Sequence, residues 1–276
     1  MPPAPAHVGP ARLGRSLLPA VLAGLLALSA CGGAEAQGSN TDPSQVDAVE
    51  APELGACREL TPEDVALPAN ATRTVDCSQA HTAETFAVGQ LPGEFDDADY
   101  DDEELGAFAY ATCSEKFMEF LGADESSVMR TVVSWAWFRP SEEAWDEGAR
   151  WYRCDVVGGG DQSASYVELP KTAKGLLQKP DDRWFVCANG ASINGEKIPC
   201  TEPHTWRAVT TIKLGEPGDE YPGERLVEVK TRDFCSDSVG AWLNYPVDYD
   251  FAYTWFHEAE WEAGNRRSVC WAKTDK

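Results

Sequence analysis

Two stretches of this sequence set a cysteine four residues ahead of a histidine: CSQAH from Cys77 to His81, and CTEPH from Cys200 to His204. Such a spacing suits half of a metal site, or a thiol nucleophile beside its base. Zinc takes about four ligands, and Cys₂His₂ sites join two close pairs. Each half of the chain offers one such pair, with its other cysteines tens of residues away. A nucleophile needs a free thiol. The chain has nine cysteines; setting Cys31 aside leaves Cys57, Cys77, Cys113, Cys154, Cys187, Cys200, Cys235 and Cys270, an even set that reads as a disulfide framework in an exported protein. Cys77 and Cys200 are therefore expected in bridges, and His81 and His204 in hydrogen bonds near the strand that follows. No metal site, cofactor or catalytic residue is expected.

Other candidates are fewer. The acidic run Asp96 to Glu104 alternates Asp97, Asp99 and Asp101, but the calcium-loop pattern wants Gly sixth and Glu twelfth, where Asp102 and Phe108 stand. It reads as a solvated loop before a helix. No Gly-x-Ser-x-Gly elbow, phosphate loop, dinucleotide fingerprint or His-Glu-x-x-His helix is present. Tryptophans gather in two places, Trp135, Trp137, Trp145 and Trp151 in one and Trp255, Trp261 and Trp271 in the other. Aromatic faces can stack on sugars, although such rings beside disulfides are more often core. Binding candidates are thus His81, Glu84, Trp145 and Trp261. Exposure of Trp145 and Trp261 favours a wall-glycan platform, and burial weakens it.

The chain's start says where this chemistry would operate. Arg12 and Arg15 precede an apolar run from Leu17 to Ala30, with no acidic residue before Glu35, which is the layout of a secretory signal. LSAC, Leu28 to Cys31, resembles the bacterial lipobox, whose cysteine is acylated and becomes the new N-terminus. Residues 1–30 are read as a lipoprotein signal peptide and Cys31 as the lipidated residue, holding the protein on the outer face of the cell membrane. Several acyl chains bind far better than one. Losing Arg12 and Arg15 leaves 21 basic against 46 acidic side chains, a formal charge of −25. Nucleic acid is excluded as a partner by that sign. Residues 31–52, polar and rich in turn formers, are expected to be a flexible tether.

The eight cysteines fall into two matching sets of four. VDCSQAHTAETF around Cys77 answers to IPCTEPHTWRAV around Cys200, and YATCSEKFMEFLG around Cys113 to RDFCSDSVGAWLN around Cys235. WFRPSEEAWDEGARWYRC, Trp137 to Cys154, answers to WFHEAEWEAGNRRSVC, Trp255 to Cys270, through Trp-Phe, Trp-x-x-Gly-x-Arg and a final Cys. Aligned so, Arg207 stands for Glu84 and Glu258 for Pro140. Each repeat opens with two β-branched or aromatic runs, RTVDC and TFAVGQL in the first, WFVC and WRAVTTIKL in the second. Next, Leu105, Phe108, Ala109, Thr112, Cys113, Phe117, Phe120 and Leu121 recur at helical steps, with Glu103 and Glu104 to start and Gly122 to stop. The second helix runs from about Glu224 to Leu243. Two further strands follow, turning at Gly148 or Gly264.

The expectation is α+β: two repeated small domains, each an antiparallel sheet with one covering helix (β-β-α-β-β), stapled by disulfides. Domain 1 takes residues 53–157, a linker 158–182, and domain 2 residues 183–276. Four cysteines per domain allow three pairings. First with second would join strand ends, and third with fourth would pin the helix to the last strand.

Those ordered motifs, twice over behind a lipobox, resemble the septum-formation domain of exported actinobacterial lipoproteins, over residues 53–157 and 183–273. The resemblance implies an extracytoplasmic module associated with the division septum and brings no catalytic residue with it. The function expected is a membrane-anchored, non-enzymatic binding or scaffold module whose partner is an envelope or divisome protein. The alternatives are a wall-glycan binder using surface Trp and a periplasmic or cell-wall enzyme.

Overall fold

The computed structural model describes residues 40–160 and 162–274. The expected signal peptide, Cys31 and the first part of the tether lie outside the described residues. Among the described residues, no helix is long and apolar enough to cross a membrane.

Five strands form the first sheet: β1 (Cys57–Arg58), β2 (Thr74–Val75), β3 (Ala83–Gln90), β4 (Ser134–Phe138) and β5 (Trp151–Val157). Five form the second: β6 (Val186–Ala188), β7 (Lys197–Pro199), β8 (Trp206–Lys213), β9 (Phe251–Thr254) and β10 (Arg267–Lys273). The helices are α1 (Ser44–Asp47), α2 (Pro62–Val65), α3 (Glu104–Leu121), α4 (Glu125–Val128), α5 (Glu142–Asp146), α6 (Glu224–Trp242) and α7 (Glu258–Glu262). Spatial order is β2-β1-β3-β5-β4 in one sheet and β7-β6-β8-β10-β9 in the other, antiparallel throughout. Both sheets carry an irregularity at the same place. Phe86 is skipped between Thr85 and Ala87 opposite β5, and Val209 between Ala208 and Thr210 opposite β10.

The two long helices bury matching rows. Leu105, Ala109, Cys113, Phe117 and Leu121 face inward on α3, every fourth residue, and Val227, Thr231, Cys235 and Val239 do so on α6. Gly122 caps α3 in the left-handed region, its N–H donating to Met118 O. The bridges are Cys57–Cys77, Cys113–Cys154, Cys187–Cys200 and Cys235–Cys270. In each domain the first pair joins strand ends and the second ties helix to last strand.

Several expectations need correcting. Each sheet has a fifth strand beyond the four expected, β1 in one domain and β7 in the other, only two and three residues long. The Trp-Phe match is not an equivalence in the sheet. Trp137 lies opposite Cys154 and Tyr253 opposite Cys270, so Trp137 corresponds to Tyr253 without a gap, and Pro140 to Phe256, not to Glu258. From residue 40 on, the expected tether is docked on domain 1. Thr41 bridges Thr72, Val46 is buried, and Trp151 Nε1 donates to Ala48 O at 2.8 Å.

The described residues of 158–182 hold no helix or strand, yet Leu169, Ala173 and Leu177 are buried in the main core. That core is shared. It runs from Phe86, Leu105 and Phe117 of domain 1 through the linker to Trp184, Ala188, Trp206 and Trp271 of domain 2. Main-chain bonds from Val132 N–H to Trp184 O and from Val186 N–H to Arg130 O, both 2.9 Å, stitch the junction.

Candidate functional site

The Cys-x-x-x-His corners come first. Each cysteine ends in a bridge, and the histidine turns back onto its own loop. His81 Nδ1 is 2.8 Å from Gln79 O, and His204 Nδ1 is 2.7 Å from Glu202 O. A carbonyl only accepts, so Nδ1 carries the hydrogen in both rings and Nε2 the lone pair. Both Nε2 atoms are buried without a hydrogen-bond partner. The corners differ in one respect. A ring nitrogen of His204 and the sulfurs of Cys187 and Cys200 lie within 4.8 Å of one another, and among the described residues no other group of three potential ligands meets that limit.

Trp-x-x-Gly-x-Arg is a locking device. Trp145 on α5 and Trp261 on α7 are 3% and 2% exposed, because each indole is inserted under the loop that precedes its domain's long helix. Trp145 Nε1 donates to Ala98 O at 3.1 Å and Trp261 Nε1 to Asp219 O at 3.2 Å. Gly148 and Gly264, at φ 97° and 112°, let the chain reverse toward the arginine. Arg150 lies 4.0 Å over the Trp145 ring and Arg266 lies 3.7 Å over that of Trp261, each donating to carbonyls nearby. Neither Trp145 nor Trp261 is a surface platform, which corrects their place among the binding candidates. The acidic loop is held from below by Arg150, whose Nε and Nη2 donate to Phe95 O and Asp96 O.

Glu84 is engaged internally too. Thr172 Oγ1 donates to its Oε1 at 2.8 Å, and Ala173 N–H to its Oε2 at 2.6 Å. Arg207, at the equivalent register position, donates to Asp182 at 2.6 Å. Opposite charges at one position of the two sheets therefore grip the middle and the end of the same linker.

Sequence reasoning missed a charge cluster in domain 1. Arg58, Arg153 and Asp155 are all essentially unexposed. Arg153 Nε is 3.1 Å from Asp155 Oδ2, Thr85 Oγ1 donates to Asp155 Oδ1 at 2.7 Å, and Arg58 Nη1 donates to Thr85 Oγ1 at 2.8 Å. Burial pulls both guanidinium groups below their ordinary range, Arg153 to about 10, against the attraction of Asp155. The alternating charges in WYRCDVV were its only trace in the sequence.

In domain 1, Tyr110, Met118, Glu125, Met129 and Trp135 line a cavity of about 220 Å³, smaller than the usual few hundred Å³ of a ligand site. Burial, with Glu125 nearby, pushes the Tyr110 hydroxyl up to about 12. On the outer edge of domain 2, Tyr249, Phe251, Tyr253, Trp255 and His257 alternate along and beyond β9 as one row of rings, 5.6 to 6.3 Å between neighbours. The first four are half-buried and His257 is exposed.

A family model described as septum formation matches residues 21–139 and again 130–270. No curated protein and no solved structure matches the chain.

Proposed function

The chain belongs to the septum-formation family, matched along both repeats, and from that premise we propose that it is a lipid-anchored, non-enzymatic envelope module that binds a partner at the division septum. The family match carries this reading. The lipobox ending at Cys31 supports the anchor, and the formal charge of −25 left after residues 1–30 argues against attraction to anionic headgroups as the means of attachment. Support for a binding role over catalysis comes from the candidate groups. His81, Trp145 and Trp261 are each buried and bonded within their own domains, and buried Glu84 is bonded to the linker, so none of them converges with a second reactive group on an open cleft.

A C-terminal fusion to a fluorophore that matures outside the cytoplasm, imaged in dividing cells, tests this. Enrichment at midcell that is lost with Cys31→Ala is expected. Uniform envelope signal would remove the septal role, and unchanged localisation of Cys31→Ala would remove the anchor.

The edge row on β9 favours a second reading, wall-glycan binding, now moved from Trp145 and Trp261 to Tyr253 and Trp255. Cosedimentation of the mature protein with purified cell wall, reduced by Trp255→Ala, is its expected signature; equal binding by the variant would dismiss it.

A further inference from the structure

The geometry points to a redox-gated metal site in domain 2: once the Cys187–Cys200 bridge opens, the two thiolates and the His204 imidazole form a three-ligand site for a thiophilic d¹⁰ cation, zinc(II) above all. Three observations carry it. The three side chains are buried, and one ring nitrogen of His204 and the two sulfurs already lie within 4.8 Å of one another. The hydrogen of His204 is committed to Glu202 O through Nδ1, the outer-shell arrangement that fixes a metal-ligating imidazole and raises its basicity. The remaining nitrogen, Nε2, keeps its lone pair in a buried position with no hydrogen-bond partner, a cost that an apolar side chain of similar size would avoid.

In the oxidised chain the sulfurs are bonded to each other and offer no thiolate. A dithiol reductant supplies the two electrons and two protons that open the bridge, and leaves as its own cyclic disulfide. Zinc then displaces both thiol protons to solvent while the imidazole contributes a lone pair and loses nothing. Two sulfurs and one nitrogen leave a fourth tetrahedral position for water or an outside ligand. Oxidation and metal binding therefore compete for the same two sulfurs. Domain 1 supplies the internal control, since His81 has the same bond to its loop and the same bare Nε2 but is not gathered with both of its sulfurs.

The test titrates the mature chain anaerobically with Co²⁺ and then Zn²⁺, before and after dithiol reduction, following thiolate-to-cobalt absorption. Near-UV circular dichroism reports tryptophan packing in the same samples. Expected is one cobalt per reduced chain, displaced by zinc, and none in the oxidised chain. His204→Gln and Cys187→Ser should weaken binding by at least about 10-fold, and His81→Gln should leave it unchanged. If reduction loosens the fold, zinc should restore the near-UV signal in the wild type and not in His204→Gln, because binding is then coupled to folding. Absence of binding by the reduced chain, equal binding by the oxidised chain, or equal losses for His81→Gln and His204→Gln would each overturn the site.

Discussion

The two sheets are built to one plan, yet their faces opposite the long helix are opposites in chemistry. In domain 1 that face carries Arg58, Thr85, Arg153 and Asp155, all buried. At the same register positions domain 2 has Ala188, Ala208, Val269 and Trp271, buried as well. The difference follows from what covers each. The apolar face of domain 2 joins the core shared with domain 1 and the linker. The charged face of domain 1 lies under polar N-terminal segments, where Gln45 accepts from Arg58 at 2.9 Å and Asn70 from Arg153 at 3.4 Å. One repeat thus seats its sheet against a neighbour and the other against its own leading chain. A duplicated fold keeps its backbone register and its bridges, and adapts the covered face to its cover.

The comparison breaks most visibly at Asp155. Asp155→Ala leaves two buried guanidinium groups without a counter-charge and should lower stability by about 3–5 kcal/mol in urea unfolding. Replacing the whole cluster, as Arg58→Met, Arg153→Met and Asp155→Leu together, should cost nothing or stabilise by up to about 4 kcal/mol, making domain 1 resemble domain 2. A loss with the triple variant as large as with Asp155→Ala would mean that the charges themselves hold the N-terminal segment.

The bridges should show the domains alike. Cys113–Cys154 and Cys235–Cys270 span 41 and 35 residues, so removing either is expected to cost about 4 kcal/mol by chain entropy. Unequal losses would show that one domain is stabilised by the other.

At the linker the domains should differ again. Glu84→Ala strands a buried N–H and a hydroxyl and should cost about 1–3 kcal/mol, with faster protease nicking between residues 158 and 182. Arg207→Ala breaks a half-exposed pair and should cost less than about 1 kcal/mol. Nicking that follows Arg207 in preference to Glu84 would reverse the assignment.

The smallest effect is electrostatic. Ser141 and His257 hold equivalent helix-start positions on α5 and α7. The hydrogen bond to Glu224 raises the His257 pKa above its ordinary value. The pair's contribution is therefore present below the unfolded pKa near 6.5 and fades as pH rises through the raised folded value. Both groups are exposed, so the readout is an NMR titration of His257. Glu224→Gln should return it to ordinary behaviour, and an unchanged midpoint would assign the shift elsewhere.

Much of this architecture was legible because it repeats. Cys113 and Cys235 sit in rows of every fourth residue, so the helices and the faces that meet the sheets could be read directly. Strands β1 (CR) and β7 (KIP) could not, since neither has the β-branched or aromatic run that marked the equally short β2 and β6. The Trp-Phe match misled because composition agreed where register did not, and only the pairing of β4 with β5 and of β9 with β10 corrects it. Trp145 and Trp261 were visible as aromatic residues, but their burial depends on Ala98 and Asp219, carbonyls more than forty positions away in the chain. Arg153 and Asp155 alternate openly in β5; their partner Arg58 is set by folding alone.

The docking of residues 40–52 also means that a pull from upstream meets domain 1 first. Any pull arriving from upstream enters at the Thr41–Thr72 bridge and must strip the chain past the Ala48 carbonyl that receives the Trp151 indole. Peeling can release residues 40–56, about 17 residues or roughly 60 Å of extended chain, before it meets Cys57 and its covalent tie to Cys77. From Cys57 a pull passes through sulfur to Cys77, so the chain between those two residues is shielded from it. A pull on the leading segment would therefore release this short strap before it loads the Cys57–Cys77 bridge.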